Sequence, residues 1–505
     1  MIPDYLRQII KTLETAGYEA WVVGGSVRDL LLNKPSADWD LTTNARPEQI
    51  LAVFADAVYE NNFGTVIVKV RDGDDDPSTR STRSGHCVDA VEVTTYRSEQ
   101  GYSDRRHPDE VKFEDSLDKD LARRDFTVNA LALRPLIGQF VAHGHNKVIE
   151  LDGEAFELVD YFGGEKDIKQ RILRAVGEPM DRFKEDALRM MRGVRFVAQL
   201  NFKLEPKTER AIAKMAGAIR FVANERIHDE LVKILKSRDA YYGIIGLKES
   251  GLLQYIIPEL MDGVGVKQNH HHIYDVFTHC ALALKHCPND DYRVRLAALL
   301  HDVGKPKTKK FIEGKATFYN HEYVGAKMTE RIMKRLKFST EDLEKVVNLV
   351  KNHMFYYMVD EVTATSVRRL IAKTGRENLQ DLIDLRVADR LGSGTPKAMP
   401  YKLRHLQYMM DKVQNDPVSV KMLQINGDQL MPLLKIKPGP IIGAILDVLL
   451  AEVIEQPELN TYEWLSNRSQ ELVKLELSDL RQRAKEVIVD KRAEEDKQFK
   501  RKHKV

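Results

Sequence analysis

Cysteine is scarce: three in 505 residues, Cys87, Cys280 and Cys287. That is too few for a disulfide framework, and none pairs in a CxxC ligand motif. Long apolar runs are missing as well. Even IIGAILDVLL is broken by Asp447, and it falls short of the roughly 18 residues that span a bilayer. The opening MIPDYLRQII has no basic segment leading into an apolar stretch, so no secretory signal is expected. A charge excess of either sign is absent too, since Lys+Arg 78 against Asp+Glu 76 leaves a formal +2. Any polyanionic partner must then be met by positive charge that is sorted locally and hidden by acidic segments elsewhere. What remains is ordinary soluble composition, 43% hydrophobic and 30% charged, which rules out wholesale disorder. At about 150 residues per domain, roughly three domains are expected. A cytoplasmic, reduced protein without membrane association is expected.

The chain divides by pattern. Residues 5–16 have helical periodicity with Gly17 just past the end, EAWVV (19–23) reads as a strand, and Gly24-Gly25 turns it into a helix over 26–33. ADWDLTT (37–43), TVIVKV (65–70) and CVDAVEVTTY (87–96) read as further strands. A polar segment rich in Asp, Ser and Arg, RDGDDDPSTRSTRSGH, reads as a surface loop before the last of these. An α+β head is thus expected over 1–152, followed by an all-α region over 153–264. A second helical domain over 265–400 carries eight of the fifteen histidines. A helical tail over 401–505 is interrupted by KIKPGP (435–440) and ends in a highly charged stretch. No internal repeat is evident.

Asp38 and Asp40 stand two apart in a predicted strand, so both carboxylates project from one face. Such a pair suits Mg²⁺ ions that leave positions open for phosphate and water. Two solvated aspartates at a strand end would look the same. Gly24-Gly25, between a strand and a helix, lets phosphate approach the backbone, and Arg28 lies one turn into that helix. Further on, LARRDFTVNALAL (121–133) reads as the head of an apolar helix carrying two arginines and an aspartate. In EDALRMMRGVRF, Asp186, Arg189, Arg192 and Arg195 recur every three residues, the spacing of neighbours on a helix, which an ion-paired helix face would also show.

GGSVRD (24–29), DWDLTT (38–43), VEVTTYR (91–97), RRDFTVNALA (123–132) and EDALRMMRGVRF (185–196) occur in the order of the bacterial tRNA nucleotidyltransferases. The sequence resembles these CCA-adding enzymes and their poly(A) polymerase relatives from residue 1 to about 240. The resemblance implies a polymerase-β-like head, a small mixed sheet with helices, followed by a helical neck. It implies that Asp38 and Asp40 hold Mg²⁺ and that Glu92 is the third acidic residue. Gly25, Arg28 and Arg124 would contact a triphosphate, with Arg192 and Arg195 holding the triphosphate or orienting their neighbours. Asp186 and Arg189 would replace a template base. Cytosine and adenine both present an amino donor beside a ring-nitrogen acceptor, which a carboxylate and a guanidinium match, whereas uracil and guanine reverse the pattern. YSDRRHPDEVKF (102–113) resembles the flexible loop used for the final A, and Glu225-Arg226 matches a further helical motif.

FTHC (277–280), RLAALLHDVGKP (295–306), NHEYVGA, KNHMF and RVADR bring His279, His301, Asp302, His321, His353 and Asp389 in the order of the HD phosphohydrolases. That resemblance implies His279, His301, Asp302 and Asp389 as ligands of a transition metal, Mn²⁺, Fe²⁺, Co²⁺ or Ni²⁺, with His321 and His353 as auxiliaries. His270-His271-His272 is not the expected centre, because consecutive side chains do not converge on one metal. QINGDQLMPLLKIKPGPIIGAILDVLL (424–450) resembles the tRNA-holding tail of related enzymes, and Gly439 and Gly443 suit either RNA approach or tight helix packing.

The expected function is addition or repair of the 3′-terminal CCA of tRNA from CTP and ATP. An A-adding, CC-adding or poly(A) enzyme, an HD phosphohydrolase with an RNA-holding head, and a noncatalytic RNA scaffold are the alternatives. Candidates for the local positive charge are Arg123, Arg124, the arginines of 189–195 and the terminal Lys497, Lys500, Arg501, Lys502 and Lys504.

Overall fold

The computed structural model describes all residues except 1, 37, 62–63, 72–86, 101–109, 137–145, 269–272, 314, 356, 360–363, 396–398, 415–419, 421–422 and 484–505. The Asp-rich loop, most of the 102–113 segment, the consecutive histidines and the basic terminus therefore lie outside the described residues. Two compact units are present: residues 1–351 with Gly392–Gly394, and Asn352–Leu391 with Thr395–Val505.

The first unit begins with helix Asp4–Thr15, whose Leu6, Ile9, Ile10 and Leu13 form one buried stripe. Gly17, at φ +90°, takes the chain out of it. Ten strands follow: β1 Ala20–Val23, β2 Asp40–Thr43, β3 Ala57–Asn61, β4 Thr65–Arg71, β5 Cys87–Thr95, β6 Arg97–Gln100, β7 Glu110–Phe113, β8 Ala132–Pro135, β9 Asn146–Leu151 and β10 Glu154–Val159. Eight form one mixed sheet in the order β3-β4-β5-β2-β1-β8-β10-β9. β6 and β7 pair as a separate hairpin, so the end of the expected 102–113 loop, Glu110–Phe113, is a strand. Among the described residues of this sheet, only β2 and β5 run parallel, and their register sets Asp40 beside Glu92. Val22, Leu41, Val66, Val93 and Leu133 bury one face of this sheet with the first helix.

Two expectations change here. RRDFTVNALA is not the head of a helix. Helix Leu117–Ala122 ends before it, a 3-10 turn covers Thr127–Asn129, and β8 follows. The Asp125 carboxylate accepts from the Phe126 backbone N–H at 2.8 Å, a local bond that competes with helix continuation. The expected boundary at 152/153 falls inside a hairpin, because β9 and β10 pair across Asp152-Gly153. Both turn residues have positive φ, +51° and +81°, as an Asp-Gly hairpin turn requires.

From Gly164 onward the unit is largely helical. Helix Leu188–Leu200 packs with Asn224–Lys236 and Ala240–Glu249. Helices Val276–Lys285, Tyr292–Leu300 and His321–Arg335 follow, with an unforeseen hairpin, Lys310–Ile312 and Lys315–Thr317, between the last two.

The second unit contains helices Ala364–Thr374, Leu379–Gly392 and Tyr401–Gln414 over a core that includes Val367, Ile383 and Leu406. Helices Gly427–Leu434, Pro440–Glu455 and Tyr462–Leu472 surround a second core that includes Leu430, Ile445 and Leu465. Tight packing does not account for its glycines. A Cβ on Gly443 would meet nothing within 4 Å, and one on Gly439 would meet only the Lys437 carbonyl at 3.8 Å.

Candidate active sites

β1 is buried at every position, and the chain must reverse immediately after it. Gly24 makes the turn at φ +81°, ψ −140°, a region open to glycine, and precedes helix Gly25–Leu31. A Cβ at Gly24 would lie 3.3 Å from Arg124 Nη1 and 3.4 Å from Asp40 Oδ2, so the turn sits directly against two side chains of the site.

This turn opens onto a cleft of about 670 Å³. Asp38, Asp40, Gly25, Arg28, Arg124, Asp186, Arg189 and Arg192 all line it, although they come from distant parts of the sequence. Asp38 precedes the strand and Asp40 opens it, so the predicted strand begins three residues late. Glu92 is exposed beside Asp40 in the adjacent strand. The pKa of Asp40 is raised, first because the protein around its carboxyl strips part of its hydration although the residue faces the open cleft, with Arg124 opposing the rise and Asp38 adding to it. Crowded carboxylates of this kind gain from a divalent cation, and their all-oxygen donor set fits Mg²⁺.

The arginines of the cleft are held by carboxylates and amides. Arg28 donates to Asp29 at 2.9 Å and to the Asn129 amide oxygen at 2.7 Å. Asp120, wholly buried, pairs with Arg123 at 2.8 Å and Arg124 at 3.4 Å. Burial works to raise the Asp120 pKa, but these two guanidiniums overcome it and hold it low. Asp125 accepts from Arg192 at 2.8 Å and from Asn129 at 3.2 Å. One hydrogen-bonded chain thereby joins Arg192, Asp125, Asn129 and Arg28.

The helical row of four is corrected. Asp186 lies in extended backbone between helices Pro179–Glu185 and Leu188–Leu200, and its carboxylate accepts from the Leu188 N–H at 3.0 Å. Arg226 grips the same carboxylate through two nitrogens, at 2.7 and 3.2 Å. Of the Glu225-Arg226 pair, Arg226 therefore reaches across to another element. Arg189 donates to Glu185 at 2.7 Å and to the Arg123 carbonyl at 3.1 Å. Arg195 does not line the cleft. It pairs with buried Glu230 at 2.8 Å, and its guanidinium lies 4.4 Å from the centre of the Phe196 ring. Burial lowers its pKa, and the Glu230 charge opposes the shift.

Asp120, Asn129, Arg123 and Glu230 were not among the expected site residues. The i,i+3 and i,i+4 spacing of Asp120 to Arg123 and Arg124 is a signal that finds the first. Asn129 and Glu230 have near neighbours in Asp125 and Lys233, but their partners Arg28 and Arg195 are remote in sequence, and no spacing marks those contacts.

The histidines form a second centre. His279 comes from helix Val276–Lys285, His301 and Asp302 from the end of Tyr292–Leu300, and His321 from the start of His321–Arg335. His279 Nε2 and His301 Nε2 are 3.0 Å apart, and each lies near Asp302 Oδ2, at 3.1 and 3.2 Å. His321 Nε2 is 3.2 Å from the other Asp302 oxygen. All four side chains are buried. His301 and His321 each place Nδ1 2.8 Å from a backbone carbonyl, of Ala298 and Phe318. An Nδ1–H donated there leaves each Nε2 lone pair directed at the centre. Two donors about 2.1 Å from one metal and at right angles lie about 3.0 Å apart, so the His279, His301 and Asp302 spacing fits a coordination sphere. Burial would raise the Asp302 pKa, but His301 and Lys305 hold it well below the usual range.

The spacing depends on Gly304. A Cβ on Gly304 would sit 2.3 Å from the His321 carbonyl and 2.6 Å from the Gly325 nitrogen. Backbone meets backbone there. His353 and Asp389, the remaining expected ligands, belong to the second unit. Both are buried, and Asp389 accepts from Arg386 at 2.6 Å.

Comparison with known proteins gives the class first. The family model "Poly A polymerase head domain" matches residues 20–174, "Probable RNA and SrmB-binding site of polymerase A" matches 201–263, and "HD domain" matches 270–393. The chain is a nucleotidyltransferase head joined to an HD domain, both metal-dependent families. An A-adding tRNA nucleotidyltransferase from Deinococcus radiodurans is 38% identical over 68% of this chain and 76% of its own length. A CCA-adding enzyme from Lactiplantibacillus plantarum is 32% identical over 89% of this chain and 91% of its own. The crystal structure of the Bacillus stearothermophilus CCA-adding enzyme in complex with CTP matches at TM-score 0.56 and 26% identity, covering 94% of this chain and 100% of that one. This chain belongs to the CCA-adding tRNA nucleotidyltransferase family. Among the described residues, no helix is long and apolar enough to cross a membrane.

Proposed function

We propose that this protein adds or repairs the 3′-terminal CCA of tRNA, using CTP and ATP and releasing pyrophosphate, in the cytoplasm. The observation that carries the reading is the meeting of Asp38, Asp40, Arg28, Arg124, Asp186 and Arg189 in one cleft. Asp38 and Asp40 are the residues to hold Mg²⁺, which neutralises charge on the transferring phosphate. Glu92, beside Asp40, is the acceptor for the proton of the attacking RNA hydroxyl. Gly25, Arg28, Arg124 and Arg192 take the triphosphate at the turn and the helix N-terminus. Asp186 and Arg189 read the base, and Arg226, through its two-nitrogen grip, orients Asp186. Arg195 is a positioning residue acting through Phe196 and Glu230.

The direct test supplies tRNAs lacking one, two or all three terminal nucleotides with CTP, ATP or both. Full CCA formation is expected; A-only products would assign the activity named for the Deinococcus relative, and no extension with Mg²⁺ would sink the transferase reading.

A second activity is favoured by the buried His279, His301, Asp302 and His321 cluster. Its nitrogen-rich donors suit Mn²⁺, Fe²⁺, Co²⁺ or Ni²⁺, with Asp389 and His353 as the further ligands implied by the family. Such a metal supplies an activated water for phosphoester hydrolysis. Metal analysis of the purified protein, with phosphatase and cyclic phosphodiesterase assays on RNA ends, tests it.

A further inference from the structure

The hairpin Lys310–Ile312 with Lys315–Thr317 has no part in the readings above, and the chain makes it between Asp302 and His321 of the histidine centre. Residues 305–315 carry five lysines against one carboxylate, Glu313. Among the described residues, Lys309, Lys310 and Lys315 make no ion pair, and Lys309 donates to the Lys267 carbonyl at 2.9 Å. Phe311 stands opposite Ala316 in the register, and a methyl is too small to cover a phenyl ring. The Phe311 ring is 71% exposed, and Tyr319, just past the hairpin, is 72% exposed. Lysines alone serve to keep a bare strand edge from pairing with another chain, but bare rings on the same hairpin work against that purpose.

Rings and ammonium groups alternate from the hairpin inward. Lys309 Nζ lies 5.6 Å from the centre of the Phe311 ring and 6.0 Å from that of Phe318. Lys305 Nζ lies 5.8 Å from the Phe318 ring and 2.5 Å from Asp302. The Phe318 carbonyl, in turn, is 2.8 Å from His321 Nδ1. A single strand of nucleic acid repeats the complementary pattern, a flat base and then a phosphate. A duplex keeps its bases stacked on one another, and an acidic peptide brings charge without a ring to stack. We propose that this hairpin binds single-stranded nucleic acid, a base on Phe311 and a phosphate on Lys309, and so presents chain ends, rather than free mononucleotides, to the histidine centre. The presentation rests on the phosphohydrolase reading; the binding does not. RNA and DNA strands share this chemistry.

Phe311→Trp, at an exposed position, places a fluorescent reporter on the hairpin, so binding there is read apart from binding at the head. The full-length variant is titrated with five-residue oligoadenylates of RNA and of DNA, adenosine monophosphate, an RNA duplex and polyglutamate, with wild-type emission subtracted. Saturable quenching by a single strand is expected, at least about tenfold tighter than by the monophosphate and weakened about tenfold by Lys309→Glu or Tyr319→Ala. Melting temperatures near wild type separate lost binding from lost folding. Tighter binding of the RNA strand would name RNA as the source; equal affinity would name any single strand. No quenching, equal affinity for the duplex or polyglutamate, or binding untouched by both added substitutions would overturn the proposal. In the wild-type background, Phe311→Ala should raise KM for a 3′-phosphorylated pentaribonucleotide about tenfold more than KM for phenyl phosphate. Quenching without hydrolysis of either probe would overturn the presentation together with the phosphohydrolase reading and leave the binding standing. Hydrolysis without quenching would overturn the hairpin's role alone.

Discussion

The head cleft and the Asp302 centre use acidic residues in opposite ways. In the cleft, six arginines face five aspartates in an open space of about 670 Å³, and Asp38 and Asp40 are exposed. At the other centre one carboxylate, fully enclosed, is surrounded by three imidazoles and the Lys305 ammonium, 2.5 Å away. Open carboxylates suit a hydrated cation that arrives and leaves with substrate phosphates. Buried nitrogen donors with fixed tautomers suit a resident metal. The difference teaches that one chain can keep two metal chemistries apart by solvent access and donor softness.

Removing a carboxylate from each place tests the contrast most severely. Asp40→Ala should lower nucleotide addition by about 10³-fold or more while leaving the melting temperature near wild type. Asp302→Ala should do the reverse: the buried Lys305 ammonium loses its counter-charge, at a cost of about 3–5 kcal/mol, read by denaturant unfolding. A stable Asp302 variant that had lost addition would erase the distinction. Asp186→Ala, next in size, should relax discrimination of CTP and ATP against UTP and GTP by about 10- to 100-fold, measured as kcat/KM ratios. His301→Ala should spare addition and abolish any phosphatase activity and bound transition metal; loss of addition would mean the centre supports the head structurally. Arg226→Lys should have the smallest effect, about fivefold in KM for CTP with kcat little changed, because a point charge replaces a two-nitrogen grip.

The sequence made the cleft legible where a motif carries its own local geometry. The glycine turn after β1, the Asp38–Asp40 pair and the His301-Asp302 dipeptide at a helix end are all of this kind. It failed at RRDFTVNALA because residues 125–133 are buried without a break, and an unbroken apolar run does not separate helix from strand. Asp152-Gly153 is a turn signal that fits the β9–β10 hairpin as well as a domain boundary, and the sequence alone does not separate the two. Arg195 followed the period of its neighbours yet turns to Glu230, a partner 35 positions away that no spacing rule finds.

The Gly304–Gly325 contact bears on how the histidine centre can change over evolutionary time. Most side chains tolerate graded replacement, larger or smaller by a methylene. Here the element carrying Asp302 meets the element carrying His321 with no side chain between them, and a single methyl on Gly304 would overlap the His321 carbonyl. Every substitution at that point enlarges the gap in one step. Lineages of this family should therefore keep the centre whole or lose it abruptly, with few half-assembled forms between.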